Sequence, residues 1–327
     1  MKNIYVIGGS GFLGSSLLKD IQSSGMNAYS CDIKKTDLSN YIFVDVTEPK
    51  SLEKISKADA IINLAAVHRD DVSPVSKYDD VNVFGAKNIC QVATTSNINT
   101  IVFTSSVAIY GFAPKNTDEK GDKNYFNDYG RTKFLAENIF KTWQKENPEE
   151  RCLVIIRPTV IFGKGNRGNV YNLLKTIASK KFIMFGKGKN KKSMAYVENV
   201  SSFILNTLNF DPGIHVYNYA DKPDLSIGEL VIFCRKILFG KTNLGLKLPK
   251  SMGIIVGYIF DFLSSISGKK LNVSSIRVKK FFSDSSFDAS KKDKIFKPPF
   301  TLLDGLEQTI IYEFKEDNKD KKIFYTE

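Results

Sequence analysis

A glycine-rich turn near the start of the chain constrains the fold more than any other feature. Residues 4–7 are apolar and β-prone, and Gly8, Gly11 and Gly14 follow them in G-x-x-G-x-x-G spacing. Between a strand and a helix, such glycines permit a tight turn, close approach of a pyrophosphate, and close packing of the helix on the sheet. The free N–H groups of the helix N-terminus bind phosphate. The spacing therefore predicts a dinucleotide site.

Short β-rich runs alternate with helical patterns after this turn. Strands are predicted at 4–7, 27–31, 61–64, 100–103 and 153–156. Helices are predicted near 12–24, 78–97 and 129–146, and later near 198–208, 226–238, 250–266 and 302–314. The alternation in the first half predicts an α/β fold, a Rossmann-like doubly wound parallel sheet.

This pattern divides the chain into two parts. Residues 1–160 are expected to form the Rossmann-like dinucleotide-binding domain, to which the segment near 195–220 returns. Residues 161–327 are expected to form mainly a smaller C-terminal lobe for the substrate, and the charged residues 315–327 are expected to fray. Four cysteines without a C-x-x-C pair and only two histidines exclude a Cys/His metal site, and no metal is expected. This cysteine usage fits a reducing cytosol.

Positive charge is concentrated in the second half. The chain has 47 Lys and Arg against 35 Asp and Glu, a net charge of +12, and residues 164–327 carry all of this excess. A basic half indicates an anionic partner, which could be nucleic acid, a phosphorylated substrate or an acidic lipid surface. For most single lysines, a solvated surface is the simpler explanation.

An acidic residue at the end of the second predicted strand indicates which dinucleotide binds. Asp32 can accept hydrogen bonds from ribose hydroxyls and would repel a 2′-phosphate, which favours NAD over NADP. Lys34 and Lys35 stand close enough to weaken this preference. Asp45 and Val46 are expected to end the third strand, where an acid could meet the adenine amino group. The other residues expected to contact the cofactor are Phe12, Leu13, Leu64, Ala65, Ala66, Asn82, Tyr129, Lys133 and Pro158.

The candidate catalytic residues lie on the helix predicted near 129–146. Tyr129 and Lys133 form Y-x-x-x-K, whose i, i+4 spacing puts both side chains on one face. A tyrosine with a pKa of about 10 is a poor base, but a nearby ammonium and a positive nicotinamide ring would stabilise its phenolate. Ser106, just past the fifth predicted strand, could hydrogen-bond the reacting sugar oxygen.

These motifs together resemble the extended short-chain dehydrogenase/reductase family of nucleotide-sugar epimerases and dehydratases. The three glycines, Asp32, Ser106, Tyr129, Lys133 and the pair Arg157-Pro158 fall on motif positions of that family. The resemblance implies an NAD-dependent enzyme. Dehydratases carry an acidic pair after the serine or threonine, where this chain has Val107-Ala108. Neither side chain can transfer a proton, which disfavours dehydration.

Several segments resemble one bacterial subgroup of this family, which epimerises an N-acetylhexosamine linked through a diphosphate to undecaprenol. They are residues 65–72, 157–163, 165–173, 192–197, 216–223 and 274–281. The resemblance implies interconversion of GlcNAc and GalNAc on the lipid carrier in O-antigen biosynthesis. The alternatives are a UDP-N-acetylhexosamine 4-epimerase, a 4-keto-sugar reductase, or a non-catalytic module that binds NAD or nucleic acid. The last is disfavoured because the catalytic residues are intact, so no nucleic acid partner is expected.

A lipid-linked or nucleotide-linked sugar diphosphate needs cationic partners. The residues expected to bind the substrate are Ser106, His68, Asn166, Arg167, Lys192 and Arg277. Lys192 stands where related nucleotide-sugar epimerases often have Arg, and a lysine lacks bidentate geometry. His68 could instead simply cap the next helix.

Residues 250–266 have a broad apolar helical face and lysines at both ends, which suits a helix at an anionic membrane surface. The alternative is a helix packed on the lobe's own core. With a lipid-linked substrate, a peripheral location on the cytoplasmic side of the bacterial inner membrane is expected, and otherwise a cytoplasmic one. A homodimer is possible.

Overall fold

The computed structural model describes residues 1–36, 40–69, 72–255, 258, 261, 282–318 and 320–326. In this part of the chain the strands are β1 (Asn3–Ile7), β2 (Asn27–Asp32), β3 (Tyr41–Phe43), β4 (Ala60–Asn63), β5 (Thr100–Thr104), β6 (Cys152–Pro158), β7 (Val160–Phe162), β8 (Met184–Phe185), β9 (Lys191–Tyr196), β10 (Gly213–Tyr219), β11 (Asp221–Ser226) and β12 (Lys247–Leu248).

The helices of the same part are α1 (Phe12–Ser23), α2 (Pro49–Leu52), α3 (Ser76–Tyr78), α4 (Gly85–Thr95), α5 (Asp128–Lys145), α6 (Asn169–Ala178), α7 (Val197–Thr207), α8 (Ile227–Phe239), α9 (Ser290–Asp293) and α10 (Leu302–Phe314). A π-helical segment, Asp79–Phe84, joins α3 to α4, and Val107–Tyr110 forms a short 3-10 helix after β5. Residues 250–255 are also helical.

The main sheet has the strand order β3-β2-β1-β4-β5-β6-β10, and neighbouring strands are parallel throughout. The predicted doubly wound α/β fold is therefore confirmed. The chain winds outward in opposite directions from β1 and from β4. This reversal opens a crevice at the carboxyl ends of the central strands, where doubly wound folds bind their ligands.

Alternation along the strands explains why helices cover both faces of this sheet. In β1, Ile4 and Val6 belong to the core beneath α1 and α7, whereas Tyr5 and Ile7 belong to the core beneath α4 and α5. Strands buried on both faces need near-continuous apolar sequence, which β1, β4, β5 and β6 have. The two cores fix the strand ends that carry the site.

The second half of the chain contributes to both parts of the molecule. β10 pairs with β6 over its full length, so the chain returns to the main sheet after α7. A three-stranded sheet, β11-β9-β7, and a two-stranded sheet, β12-β8, form the smaller lobe with α6, α8 and α10. Leu174, Val231 and Leu306 bring these three helices into one core.

The structure differs from the sequence prediction at three places. β3 ends at Phe43, so Asp45 and Val46 lie in the loop beyond it. The helix α6 was not predicted. Residues 322–326 do not fray, because Phe324 forms a parallel bridge with Asn166. Most of the predicted helix 250–266 lies outside the described residues, and no helix within them is long and apolar enough to cross a membrane.

Candidate active site

A cleft of about 2410 Å³ opens along the carboxyl ends of the parallel strands. Its floor is the glycine turn between β1 and α1. Gly8 has a φ of +83°, and a Cβ there would lie 2.9 Å from the Ala65 nitrogen. A Cβ at Gly14 would lie 2.4 Å from the Gly8 oxygen, so α1 can approach the turn only with glycine at that position. These close approaches explain why glycine is needed at these positions of the motif.

The N-terminus of α1 points its backbone N–H groups toward this cleft. Its N-cap is Gly11, no side chain caps it, and its first turn contains no acidic residue. Phe12 and Leu13, the first two helical residues, both line the cleft. A helix N-terminus of this kind binds phosphate through its N–H groups and its dipole. The turn therefore fits a dinucleotide pyrophosphate.

Two carboxylates line the cleft after β2 and β3. Asp32 accepts hydrogen bonds from the backbone nitrogens of Ser10, at 3.0 Å, and Lys34, at 2.9 Å. These bonds fix its side chain beside the glycine turn, where a ribose would lie. Asp45 accepts a hydrogen bond from the Thr47 nitrogen at 2.9 Å. Both carboxylates line the cleft, as their cofactor roles would require.

Most of the predicted site residues come together in this cleft. The other predicted residues that line it are Gly8, Gly11, Gly14, Val46, Leu64, Ala65, Ala66, His68, Ser106, Tyr129, Lys133, Pro158, Asn166 and Lys192. They come from eight separate segments of the chain. The parallel main sheet brings most of them together because its strand ends lie along one edge, and the smaller lobe adds Asn166 and Lys192.

Two predicted residues have other partners. Asn82 is buried, and its amide pairs with both backbone groups of Val67 and donates to the Thr132 hydroxyl. It thus joins the segment after β4 to α5 and does not line the cleft. Arg167 is ion-paired at 2.7 Å with the fully buried Glu313 and does not line the cleft either.

The prediction for Arg277 cannot be compared with the structure, because this residue lies outside the described part of the chain.

The three candidate catalytic residues meet where β5 and α5 face the cleft. Asn127 caps α5 by accepting a hydrogen bond from the Gly130 nitrogen, which places Tyr129 in the first turn of the helix. The Tyr129 hydroxyl is hydrogen-bonded to the side chain of Ser106. One turn further along α5, the Lys133 ammonium donates to the Thr104 carbonyl at 2.7 Å.

Burial raises the pKa of Tyr129 to about 12, while its hydrogen bond with Ser106 opposes the rise. Burial also lowers the pKa of Lys133 to about 7, and the nearby Glu137 carboxylate opposes that fall. The phenol therefore needs additional positive charge to ionise at neutral pH. A nicotinamide ring carrying its positive charge in this cleft would supply it.

A buried ion pair holds α5 against β6. The Arg157 guanidinium donates to both carboxylate oxygens of Glu137, at 2.8 and 2.7 Å, and to the Tyr110 hydroxyl at 2.7 Å. Glu137 follows Lys133 by one helical turn, and Tyr110 ends the 3-10 helix that begins after Ser106. The pair thus holds the helix with the base against β6, and the bond to Tyr110 connects it to the 3-10 helix that Ser106 caps. From the sequence, Arg157 was identified only as part of a family motif, and its ion pair with Glu137 was not predicted.

The wall of the cleft opposite the cofactor turn is formed by the smaller lobe. Lys192 reaches into it from β9 and donates to the Ser283 carbonyl at 2.8 Å. Burial lowers the pKa of Lys192 to about 8, and Asp284 opposes the fall, so the ammonium stays mostly charged at neutral pH. His68 lies at the mouth, with Nδ1 3.3 Å from the Ala66 carbonyl.

Sequence reasoning missed several lining residues. They include Ser10, Phe84, Ser105, Ser193, Ser285 and the run from Lys322 to Thr326. Ser10 lies within the glycine motif, so its glycine neighbours could have identified it as a lining residue. Residues 322–326 carry no motif, and no local pattern places them beside a turn more than 300 residues earlier. No group of three or more His, Cys, Asp or Glu suited to a metal occurs among the described residues.

The fold and the site define a class: a doubly wound enzyme with a dinucleotide turn and a Ser-Tyr-Lys catalytic group. The model of the NAD dependent epimerase/dehydratase family matches residues 4–220. The chain belongs to this family, and its cofactor is NAD.

Comparisons with individual proteins agree with this assignment. The chain is 45% identical, over 99% of both chains, to the N-acetyl-alpha-D-glucosaminyl-diphospho-ditrans,octacis-undecaprenol 4-epimerase of Escherichia coli O157:H7. It is 24% identical, over 94% of both, to a UDP-glucose 4-epimerase of Vibrio cholerae. The UDP-N-acetylglucosamine 4-epimerase structure from Bacillus cereus has a TM-score of 0.78 at 18% identity, covering 97% of this chain and all of that one. At that identity the likeness shows the fold alone.

Proposed function

We propose that this protein is a sugar 4-epimerase that interconverts GlcNAc and GalNAc linked through a diphosphate to undecaprenol. The observation that carries the reaction type is the Ser106–Tyr129–Lys133 group beside the dinucleotide turn. The observation that carries the substrate is the 45% identity, over 99% of both chains, to a relative named for this activity.

The catalytic residues would move one proton and keep the sugar oriented. The glycine turn and Asp32 would hold NAD, whose nicotinamide would supply reversible hydride transfer at C4 of the sugar. The Tyr129 phenolate takes the proton from O4 as the C4–O4 bond becomes a carbonyl, and later returns that proton to O4. Ser106 hydrogen-bonds O4 throughout. Lys133 stabilises the phenolate electrostatically.

The residues after Ser106 support epimerisation over dehydration. Val107 and Ala108 line the cleft at the start of the 3-10 helix. Neither has an ionisable group that could remove or deliver a proton at the neighbouring sugar carbons. The 4-keto sugar would therefore persist until it turns over and is reduced again.

Lys192 is the residue we assign to the substrate diphosphate. It lies on the cleft wall and keeps its positive charge at neutral pH, with an ammonium that suits a phosphate as a point charge. Arg167 is not part of this proposal, because its guanidinium is paired with Glu313. His68 and Asn166 line the same cleft and are assigned to the sugar.

A direct test is incubation of the NAD-loaded protein with GlcNAc-diphospho-undecaprenol and, separately, with UDP-GlcNAc, followed by analysis of the released sugars. GalNAc from the lipid-linked substrate, with far less from UDP-GlcNAc, is the expected result. The reverse preference would favour the UDP-N-acetylhexosamine 4-epimerase. Stoichiometric consumption of NAD(P)H would instead indicate a 4-keto-sugar reductase. The variant Tyr129→Phe is the control in each arm.

A lipid-linked substrate would bring the protein to the cytoplasmic face of the bacterial inner membrane, and one surface suits that contact. Leu246, Met252, Ile255 and Tyr258 are 60%, 44%, 56% and 55% exposed. Gly253, on the opposite side of the helical segment 250–255, faces inward, and a Cβ there would lie 3.0 Å from the rings of Phe185 and Phe282. The apolar side therefore faces outward.

Lysines near this surface would add electrostatic attraction to anionic lipid. Each basic residue close to such a surface contributes about 1 kcal/mol, and salt screens this term but not apolar insertion. In liposome flotation, the wild type should float with anionic vesicles and the double variant Met252→Ser/Ile255→Ser should not. Ile295→Ser, at an exposed apolar residue elsewhere, is the matched control. A wild type that stays at the bottom would refute the membrane contact.

The possible homodimer is a separate proposal. Sedimentation equilibrium of the NAD-loaded protein tests it, because a monomer mass at micromolar concentration would contradict it.

A further inference from the structure

Residues 320–326, which we call the strap, cross the cleft between the smaller lobe and the glycine turn. The Phe324 nitrogen donates to the Gly165 carbonyl at 2.9 Å, and the Arg167 nitrogen donates to the Phe324 carbonyl at 2.8 Å. Two backbone hydrogen bonds thus fix the strap to the loop after β7. The ion pair between Arg167 and Glu313 anchors the same loop to α10.

The loop is shaped to accept the strap. Gly165 has a φ of +81°, and a Cβ there would lie 2.9 Å from the Lys322 carbonyl. A Cβ at Gly168 would lie 2.7 Å from the Thr326 hydroxyl oxygen. Both glycines are therefore needed for the strap to pack where it does.

The strap also contacts the cofactor turn and the substrate side of the cleft. The Phe324 ring lies 5.7 Å from the ring of Phe12, the first residue of α1. The Thr326 hydroxyl donates to the Asn166 side chain at 2.8 Å, and the Thr326 backbone is hydrogen-bonded to His68. Residues of the strap thus join the two sides of the cleft.

Lys322 is the charged strap residue that reaches the glycine turn. Its ammonium lies 3.4 Å from the Ser10 carbonyl, inside the glycine turn, and 4.9 Å from the centre of the Phe324 ring. Ser10 is two residues before Phe12, where the uncapped N–H groups of α1 begin. The ammonium is therefore beside the place where those N–H groups would bind the pyrophosphate of NAD.

We propose that the strap retains NAD in the cleft and that Lys322 binds the cofactor pyrophosphate from the side opposite α1. The N–H groups of α1 and the Lys322 ammonium would then bind the two negative charges together. Phe324, packed on Phe12, keeps the strap closed. An epimerase, the function proposed above, reuses the same cofactor in every cycle, so covering the cofactor site does not slow its catalytic cycle.

The test measures cofactor loss rather than activity. Holoprotein is diluted into an excess of an NAD-linked dehydrogenase with its alcohol, and the appearance of NADH absorbance reports each NAD that dissociates. Lys322→Gln should release NAD about twofold to fivefold faster, the range for a partly exposed charge pair. Phe324→Ala should release it about tenfold faster, because the strap loses its packing on Phe12.

Lys321→Gln is the matched control. Its ammonium lies 3.8 Å from Glu316 and over the Tyr312 ring, away from the glycine turn. The release rate of the wild type should rise with salt, and that of Lys322→Gln should change much less. Lys322→Arg should restore slow release. Equal release rates in Lys322→Gln, Lys321→Gln and wild type would refute the role of Lys322. An unchanged release rate in Phe324→Ala would refute the role of the strap in retaining NAD.

Discussion

The buried ion pair between Glu137 and Arg157 offers a sharp test of how the site is held together. Glu137 is fully buried and Arg157 is 2% exposed, and the guanidinium also donates to Tyr110 and to the Glu119 carbonyl. Replacing Arg157 by Met leaves a similar volume but removes the two short hydrogen bonds to Glu137, whose carboxylate then keeps only Lys141, 3.4 Å away, and a hydrogen bond from Ser105. Removing one member of such a pair costs about 3–5 kcal/mol.

The expected result is a large fall in the free energy of unfolding of Arg157→Met, measured by urea titration of the apo protein. The double variant Glu137→Leu/Arg157→Met should recover at least half of that loss, because no buried charge remains unpaired. The control is Lys164→Met, which breaks the exposed pair with Glu198 at 3.7 Å and should cost less than about 1 kcal/mol.

The same pair predicts a dependence on pH. Burial raises the pKa of Glu137, but the hydrogen bonds and charge of Arg157 more than offset this, so its folded pKa is lowered. A lowered carboxyl pKa contributes stability that is present above the unfolded pKa, about 4.3, and is lost as pH falls through the folded pKa. Wild type should therefore lose more stability on acidification below about pH 4 than the double variant does. An Arg157→Met variant as stable as Lys164→Met would falsify this account of the pair.

Three further predictions concern the cleft. Tyr129→Phe should lower turnover at least about 100-fold while NAD still binds, as calorimetry and sugar analysis would show, and near-normal turnover would contradict its role as base. Asp32→Ala should raise the affinity for NADP relative to NAD, because the carboxylate that would repel the 2′-phosphate is gone; tighter binding of NADP by the wild type would mean that Lys34 dominates. Gly14→Ala should abolish NAD binding in a dialysis assay, because its Cβ would meet the Gly8 carbonyl at 2.4 Å, whereas Gly25→Ala, with open space around it, should bind NAD normally.

The sequence by itself was sufficient to predict five of the seven strands of the main sheet and to propose the centre of the site. Gly8, Gly11 and Gly14 act within one strand–turn–helix unit, and Tyr129 and Lys133 act within one helix, so short-range spacing is sufficient to identify them. The order of strands and helices then follows from alternation, because each amphipathic or apolar element has few ways to bury itself on a parallel sheet.

Only the tertiary structure decided which polar side chains face the cleft. From sequence, Asn82 and Arg167 were as plausible as Asp32 and Lys192. In the structure, Asn82 is hydrogen-bonded to the Val67 backbone, and Arg167 forms an ion pair with Glu313. A polar side chain buried far from water pairs with whichever group the fold brings nearest, and that group can lie anywhere along the chain.

The positions of the strap and of the outward apolar surface also depend on the tertiary structure. Phe324 contacts Gly165, about half the chain away in sequence, and Phe12, near the other end of the chain. Gly253 faces inward because the aromatic rings of Phe185 and Phe282 leave no room for a side chain there. Local spacing determines what an element is and which face is apolar. Which surface it packs on depends on long-range contacts, and those form only when the whole chain has folded.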